Sequence, residues 1–330
     1  MKRTFCLALA CTLLTILYSC GHGSTTKYNE GSAVMYADEG FKSFMEQEIQ
    51  VFEYQYPGAF ILPKYMGESD AINGLIKDSC TIAVISRPLS KDQMEYIKRG
   101  NKKLVRQQEI AVDAVALIVN KDNPVGLLSV QEIKDLFNGK INTWSQLAWN
   151  DTTQIKLVFD MEGSANVSYI EDNFLAKGAT FPKNVHAQKS NADVVKLIEQ
   201  DKSAIGLVSV SWLGDNLERL QTDLHKDQMD TQKLASLQSD NDTLAIDFTD
   251  RVKLLKVRKD DSPIGFLPYQ AYINSGEYPL FRKVYMVSTA SNNSVGHSFF
   301  SFVTGFIGQK IIGLTGIMPF MVHQRVVELQ

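Results

Sequence analysis

QIKLVFDMEGSANVSYIEDNF, residues 154–174, reads as a strand, a tight turn and the opening of a helix. Ile155, Leu157 and Phe159 alternate with Lys156 and Val158, as in a mostly buried strand, and Gly163-Ser164 breaks the alternation. Val167, Ile170 and Phe174 then recur on one helical face. The turn Glu162-Gly163-Ser164-Ala165-Asn166 would aim several backbone N–H groups and the positive end of a helix dipole at one point, a seat for a small anion. The same residues suit a plain N-cap by Ser164 or Asn166.

Working outward, the unit repeats. Ala33 to Ala37 is a short strand, Asp38-Glu39-Gly40 a turn, and Phe41, Phe44, Met45, Ile49 and Phe52 mark a helical face, from which Glu48 departs, that Tyr56-Pro57-Gly58 ends. Further strands are expected at Phe60 to Tyr65, Thr81 to Ile85, Ile110 to Asn120, Ala204 to Val210 and Tyr285 to Val287. Helices are expected from Ser69 to Ile76, after Ser90, over 130–137 behind a Ser129/Glu132 capping box, near Ala192 to Gln200, and from Ser298 to Leu314. Strands alternating with helices imply a parallel sheet covered on its faces, with ligands at the carboxyl ends of the strands. Residues 214–250 are charged and weakly periodic, and only a strand at Leu244 to Phe248 is placed there.

At 330 residues and 44% hydrophobic content the chain can bury a real core, with a length that suits about two domains. Its net charge is −3, or −5 without Lys2 and Arg3, and no basic run follows, which argues against a nucleic-acid partner. MKR followed by the apolar run Phe5 to Tyr18 reads as an export leader, too short for a spanning helix of roughly 20 residues. Leu17-Tyr18-Ser19-Cys20 resembles the bacterial lipobox. Residues 1–20 are therefore read as a lipoprotein signal peptide with Cys20 lipidated, and 21–32 as a tether; ordinary cleavage or an uncut anchor is the alternative. The protein is then exported and lipid-anchored at a membrane, facing the periplasm.

Cys6 and Cys11 fall in the leader, which leaves Cys80 alone beside Ile82, Val84 and Ile85, a buried thiol with no disulfide or metal to make. His22, His186, His225, His297 and His323 lack metal-ligand spacing, and no nucleophile elbow or phosphate-cradling lysine loop is present. No catalytic residue, cofactor or metal can be named, so an enzyme is the least favoured class. Trp144, Trp149 and Trp212 share no face and read as core or surface residues rather than a sugar platform.

Five segments taken in order, VDAVALIVNKDNPVGLLSVQEIKDLFNGKINTWSQL (112–147), VFDMEGSANVSYIEDNFL (158–175), SAIGLVSVSWL (203–213), SGEYPLFRKVYMV (275–287) and FIGQKIIGLTGIMP (306–319), resemble the phosphate-binding proteins of bacterial ABC transporters. The resemblance implies a type II periplasmic-binding-protein fold, α/β, with two lobes, each a mixed sheet flanked by helices, joined by two crossover strands near Ile110 and Val284 to Ser288. Lobe 1 would be discontinuous, 33–110 and 287–330, and lobe 2 would be 111–286. It implies a monomer that clamps phosphate or a similar oxyanion in the interlobe cleft and delivers it to an ABC permease.

Where the family has Arg, two residues and Gly-Ser-Gly-Thr, this chain has Asp160, two residues and Gly163-Ser164-Ala165-Asn166. Ser164 matches, Asn166 stands at the Thr position, and Asp160 replaces the phosphate-contacting Arg. Ser86-Arg87 stands where the family often has Ser-Asp, so the charges are exchanged, and Arg87 is expected to pair with Asp160 or to contact the anion itself. Carried over, the ligand-binding candidates are Glu39, Ser69, Ser86, Arg87, Asp160, Ser164 and Asn166. Ser69 also reads as a helix cap and Arg87 as a solvent-facing turn. Asp38 and Glu39 replace small hydroxylated residues; they face solvent or indicate another ligand. The alternative function is the same fold with a different ligand, or a sensory or assembly lipoprotein without a transport role.

Overall fold

The computed structural model describes residues 29–214 and 248–321. The leader, Cys20, most of the tether and, apart from Phe248, the strand expected at 244–248 lie outside these residues.

One mixed sheet carries the molecule, in the order β2-β1-β3-β11-β4-β8-β6-β7. In the first half β1 (Gly31–Asp38) lies parallel between β2 (Ala59–Met66) and β3 (Ile82–Ile85). The apolar run of β4 (Arg106–Val119) is buried throughout from Ile110 onward, as a strand covered on both faces must be. This strand changes partner midway: residues 106–114 pair antiparallel with β11 (Phe281–Ser288) and residues 115–119 with β8 (Ala204–Ser209). The second half continues through the parallel neighbours β6 (Lys156–Phe159) and β7 (Val185–Ala187). Two short strands, β9 (Lys253–Leu254) and β12 (Met318–Pro319), also pair with β4, while β5 (Leu127–Ser129) and β10 (Lys256–Arg258) form a separate pair.

The α-helices of the described residues are α1 (Lys42–Gln55), α2 (Glu68–Ile76), α3 (Lys91–Tyr96), α4 (Val130–Phe137), α5 (Ala165–Asn173), α6 (Asn191–Gln200), α7 (Gln270–Asn274), α8 (Val295–Val303) and α9 (Phe306–Leu314). Ala71, Ile72 and Leu75 of α2 cluster with Ala83, Ile85 and Cys80 on the first half-sheet; Val194, Val195 and Ile198 of α6 cluster with Ile118, Val158 and Val208 on the second. Each of the valine, leucine and isoleucine side chains among these contributes about 1.5–3 kcal/mol by leaving water. Cys80 is buried as expected, and burial pushes its thiol up to about 12. The Ser129 hydroxyl accepts from Glu132 N–H at 3.1 Å, and the Glu132 carboxylate accepts from Ser129 N–H at 2.7 Å, which closes the anticipated capping box.

Two details depart from the sequence reading, the helix over 298–314 and the burial of Glu48. The helix expected over 298–314 is two helices, because Gly305 adopts extended backbone (φ −89°, ψ −179°). At Gly308 a Cβ would lie 2.5 Å from Val303 Cα, so the two helices touch only because that position has no side chain. Glu48 is fully buried on α1 with both carboxylate oxygens unpartnered, and burial holds its carboxyl proton well above the usual range. As the sequence reading has it, Trp144 and Trp149 belong to packing: their rings lie tilted with centroids 5.3 Å apart, and Trp144 is fully buried with its indole donating to Ser203 O.

The topology brings the carboxyl ends of β1, β3, β6 and β8, and the N-termini of α2, α5 and α6, to one cleft between the half-sheets.

Candidate functional site

Asp160 directly follows β6 and is fully buried, and the loop folds around it. Its Oδ1 accepts from the Ser164 hydroxyl at 2.6 Å; its Oδ2 accepts from Asn166 Nδ2 and Asn191 Nδ2, each at 3.0 Å. Ser164 is also the N-cap of α5, its Oγ accepting from Val167 N–H at 3.2 Å. Asp160, Ser164 and Asn166 are therefore brought together, with Ser164 and Asn166 held on Asp160. Gly163, at φ +70°, supplies the left-handed residue the turn requires.

Two helix starts meet here, those of α5 and α6, and both are taken by carboxyl groups from the end of β1 and the turn after it, those of Asp38 and Glu39. Asp38 Oδ2 accepts from Ala165 N–H, at the start of α5, at 2.8 Å. Glu39 Oε2 accepts from Asn191 N–H, at the start of α6, at 2.9 Å, and from Asn191 Nδ2 at 2.7 Å. Asp38 and Glu39 thus do not face solvent; they are 0% and 5% exposed and lie where backbone amides and helix dipoles favour negative charge. Further bonds cross the cleft beside them: Gly40 O accepts from the Trp212 indole at 3.2 Å, and the Ser43 hydroxyl donates to Ser211 O at 3.0 Å.

The positive charge comes from β11. Arg282, 6% exposed, donates through Nε and Nη2 to Asp113 Oδ2 at 3.2 and 2.9 Å, and Asp113 Oδ1 accepts from the Ser209 hydroxyl at 2.8 Å. Its guanidinium also lies 5.1 Å over the Phe41 ring. Strand alternation carries the signal for Arg282, since it shares the buried face of β11 with Val284 and Met286. Asp113, an acid inside an apolar run, and Asn191 and Glu68, each beside an expected helix start, were equally legible.

The expected Arg87–Asp160 pair is corrected. Arg87 Nε lies 3.3 Å from Glu68 Oε2, and Ser86 donates through its hydroxyl, at 2.7 Å, and its backbone N–H to Glu68 Oε1. Glu68 is fully buried while Arg87 is 46% exposed, so Arg87 offsets Glu68 from the rim. Ser69 is exposed one residue further along α2 and lies outside the cluster; Gly67 occupies the N-cap, which corrects the cap reading.

Gly67 marks where the lobes touch. A Cβ there would lie 2.9 Å from Gly163 O and 3.0 Å from Glu162 O, across the cleft, although its backbone (φ −67°, ψ 147°) suits any residue. Gly67→Val should therefore leave each lobe folded and hold the cleft open, seen as a larger radius of gyration in solution scattering; an unchanged radius would contradict this contact.

Five carboxyl side chains, Asp38, Glu39, Glu68, Asp113 and Asp160, are buried here, against one buried guanidinium, that of Arg282. Burial, with the Asp160 carboxylate adding to it, holds the Asp38 proton well above the usual range against Arg282 and the Ala165 N–H. Burial likewise pushes Glu39 up to about 7 against the Asn191 hydrogen bonds. Asp160 and Asp113 are raised by burial, against Ser164 and Arg282 respectively. Carboxyls that keep protons near neutrality can donate as well as accept hydrogen bonds. Among the described residues no cluster of His, Cys, Asp and Glu is arranged to hold a metal ion.

A family model described as a PBP superfamily domain matches residues 24–305. The phosphate-binding protein PstS of Pseudomonas aeruginosa is 25% identical over 182 residues, covering 52% of this chain and 56% of that protein. PstS of Staphylococcus haemolyticus is 24% identical over 219 residues, covering 62% of this chain and 67% of that protein. The chain thus spans about half the length of the Pseudomonas relative. Among solved structures, a substrate-binding protein from Clostridium perfringens with bound phosphate superposes with a TM-score of 0.67 at 22% identity, over 88% of this chain and 100% of the other. An ABC-type phosphate transport receptor from Vibrio cholerae gives 0.58 at 17% identity, over 88% and 100%. At these identities the likeness speaks to the fold, which is the two-lobed α/β fold expected.

Proposed function

This chain belongs to the PBP superfamily, whose domain spans residues 24–305, and we propose that it is a solute-binding protein that captures phosphate or a similar oxyanion in its interlobe cleft and passes it to an ABC permease. One observation carries the reading: the amides of Ala165 and Asn191 each hold a carboxyl oxygen, at 2.8 and 2.9 Å. The carboxylates of Asp38 and Glu39 stand there for the oxygens of a ligand. As the lobes part, the acidic tip leaves, and an oxyanion takes both seats. A partly protonated oxyanion suits such an acidic cleft, because its hydroxyl can donate to a carboxylate that repels a fully ionised one. The names of the relatives, phosphate-binding proteins, agree with this ligand class.

The chain acts as a monomer and without a catalytic step. Its site is exported, and the acyl group on Cys20 anchors it to a membrane facing the periplasm. Cys20→Ser should release the mature protein in soluble form or leave an uncleaved precursor; unchanged membrane partition would sink the anchor.

Thermal melts and titrations with phosphate, arsenate, sulfate and chloride test the ligand. A ligand at 100 times its Kd stabilises the folded form by about 2.7 kcal/mol, so phosphate should raise the melting temperature saturably. A second reading has its own support in the filled seats: a sensory or assembly protein whose cleft stays closed on its own carboxylates. A panel in which no oxyanion shifts the melt would favour it.

A further inference from the structure

Among the described residues Arg282 is the one lysine or arginine buried in the cleft, and one of its three guanidinium nitrogens, Nη1, makes no hydrogen bond. Nε and Nη2 both point at Asp113 Oδ2. A guanidinium is planar, so Nη1 lies on the far side from that carboxylate, where it is buried with no acceptor. An orphaned cationic N–H pair in a protein interior is costly unless something fills it. The neighbourhood says what kind of group would. A methyl placed at Gly40 would lie 3.0 Å from Asp38 Oδ1, 3.5 Å from Arg282 Nη2 and 3.9 Å from Asn191 Nδ2, so the guanidinium, through Nη2, borders Gly40 together with Asp38 and Asn191, the residues at the two helix starts. Arg282 also acts electrostatically on both Asp38 and Asp160.

We propose that Arg282 is a direct ligand of the bound oxyanion, its Nη1 binding an anionic oxygen while Nε and Nη2 stay on Asp113. The charge that binds the ligand thus comes from a crossover strand rather than from the loop at 160–166. Because β11 and β4 run between the lobes, the cation holds its place whether the cleft is open or closed. This rests on the oxyanion reading of the cleft.

The experiment is a phosphate titration of the whole mature protein, with the ligand-free melt recorded alongside. In Arg282→Gln combined with Asp113→Asn the paired charges leave together and neither group is stranded. The double variant should melt within a few degrees of wild type yet bind phosphate at least 30-fold more weakly, with a correspondingly smaller phosphate-induced rise in melting temperature. Arg282→Lys keeps the charge but lacks the fork, so it should lose about tenfold. Binding within threefold of wild type in the double variant overturns the proposal; if that variant does not fold, binding within threefold in Arg282→Lys overturns it. Failure of the wild-type protein to bind phosphate would instead be seen before any substitution, and would remove the oxyanion reading and this proposal together.

Discussion

Replacing Asp38 and Glu39 together with alanine should raise phosphate affinity about a hundredfold at pH 8, while lowering the melting temperature of the ligand-free protein. In the closed form the two carboxylates occupy the amides of Ala165 and Asn191. Being part of the same chain, they compete at a high effective concentration, and a ligand must displace them. When ionised they also repel the anion: one unit charge roughly 5 Å away costs about 3 kcal/mol at an effective dielectric of 20, which is about a hundredfold in affinity. Removing them lifts both penalties but opens bonds that join the lobes, hence the lower melt. Titration calorimetry on the double variant reads the first effect and calorimetric melting the second. An affinity that falls would show that the carboxylates serve the ligand rather than compete with it.

The second large effect is on pH. Glu39 is pushed up to about 7 in the folded chain, chiefly by burial, against an ordinary value of 4.5. The folded state therefore binds more protons than the unfolded state between those limits, and stability falls as pH rises through them. Stability from this group is complete below about 4.5 and lost by the time pH passes about 7, a change of about 3 kcal/mol for a 2.5-unit difference. Asp38, Asp113 and Asp160 are raised by burial too, so the slope has the same sign for each. Chemical denaturation at pH 4.5, 6, 7 and 8 should show the decline, and Glu39→Gln should flatten it; stability that rises over this range would contradict the burial of ionisable tips in the cleft. Phosphate should bind better on the acid side, where a protonated Glu39 neither fills its seat as an anion nor repels the ligand.

Much of the fold was legible because it rests on local periodicity. The 154–174 stretch forms its strand, its cap at Ser164 and its helix, and the run from Ile110 to Asn120 reads as a strand buried on both faces. Contacts between distant segments were not legible. Arg282 and Asp113 are 169 residues apart, and nothing in either neighbourhood names the other. The partner of Arg87 is Glu68, which precedes Ser69 by one residue, and one residue along a helix turns the side chain by about 100°. Glu68 therefore points inward to Ser86 and Arg87 while Ser69 points to solvent. Asp38 and Glu39 stand out in the sequence because they replace hydroxylated residues, but their seats are the helix starts at Ala165 and Asn191, 127 and 152 residues away.

The most direct measurement is a crystal structure of the mature protein grown in saturating phosphate at pH 6. The account predicts a phosphate at the starts of α5 and α6, its oxygens accepting from Ala165 and Asn191 N–H and from Arg282 Nη1, with Asp38 and Glu39 moved off both amides. A cleft in which the two carboxylates still occupy those amides and no phosphate is bound would contradict it.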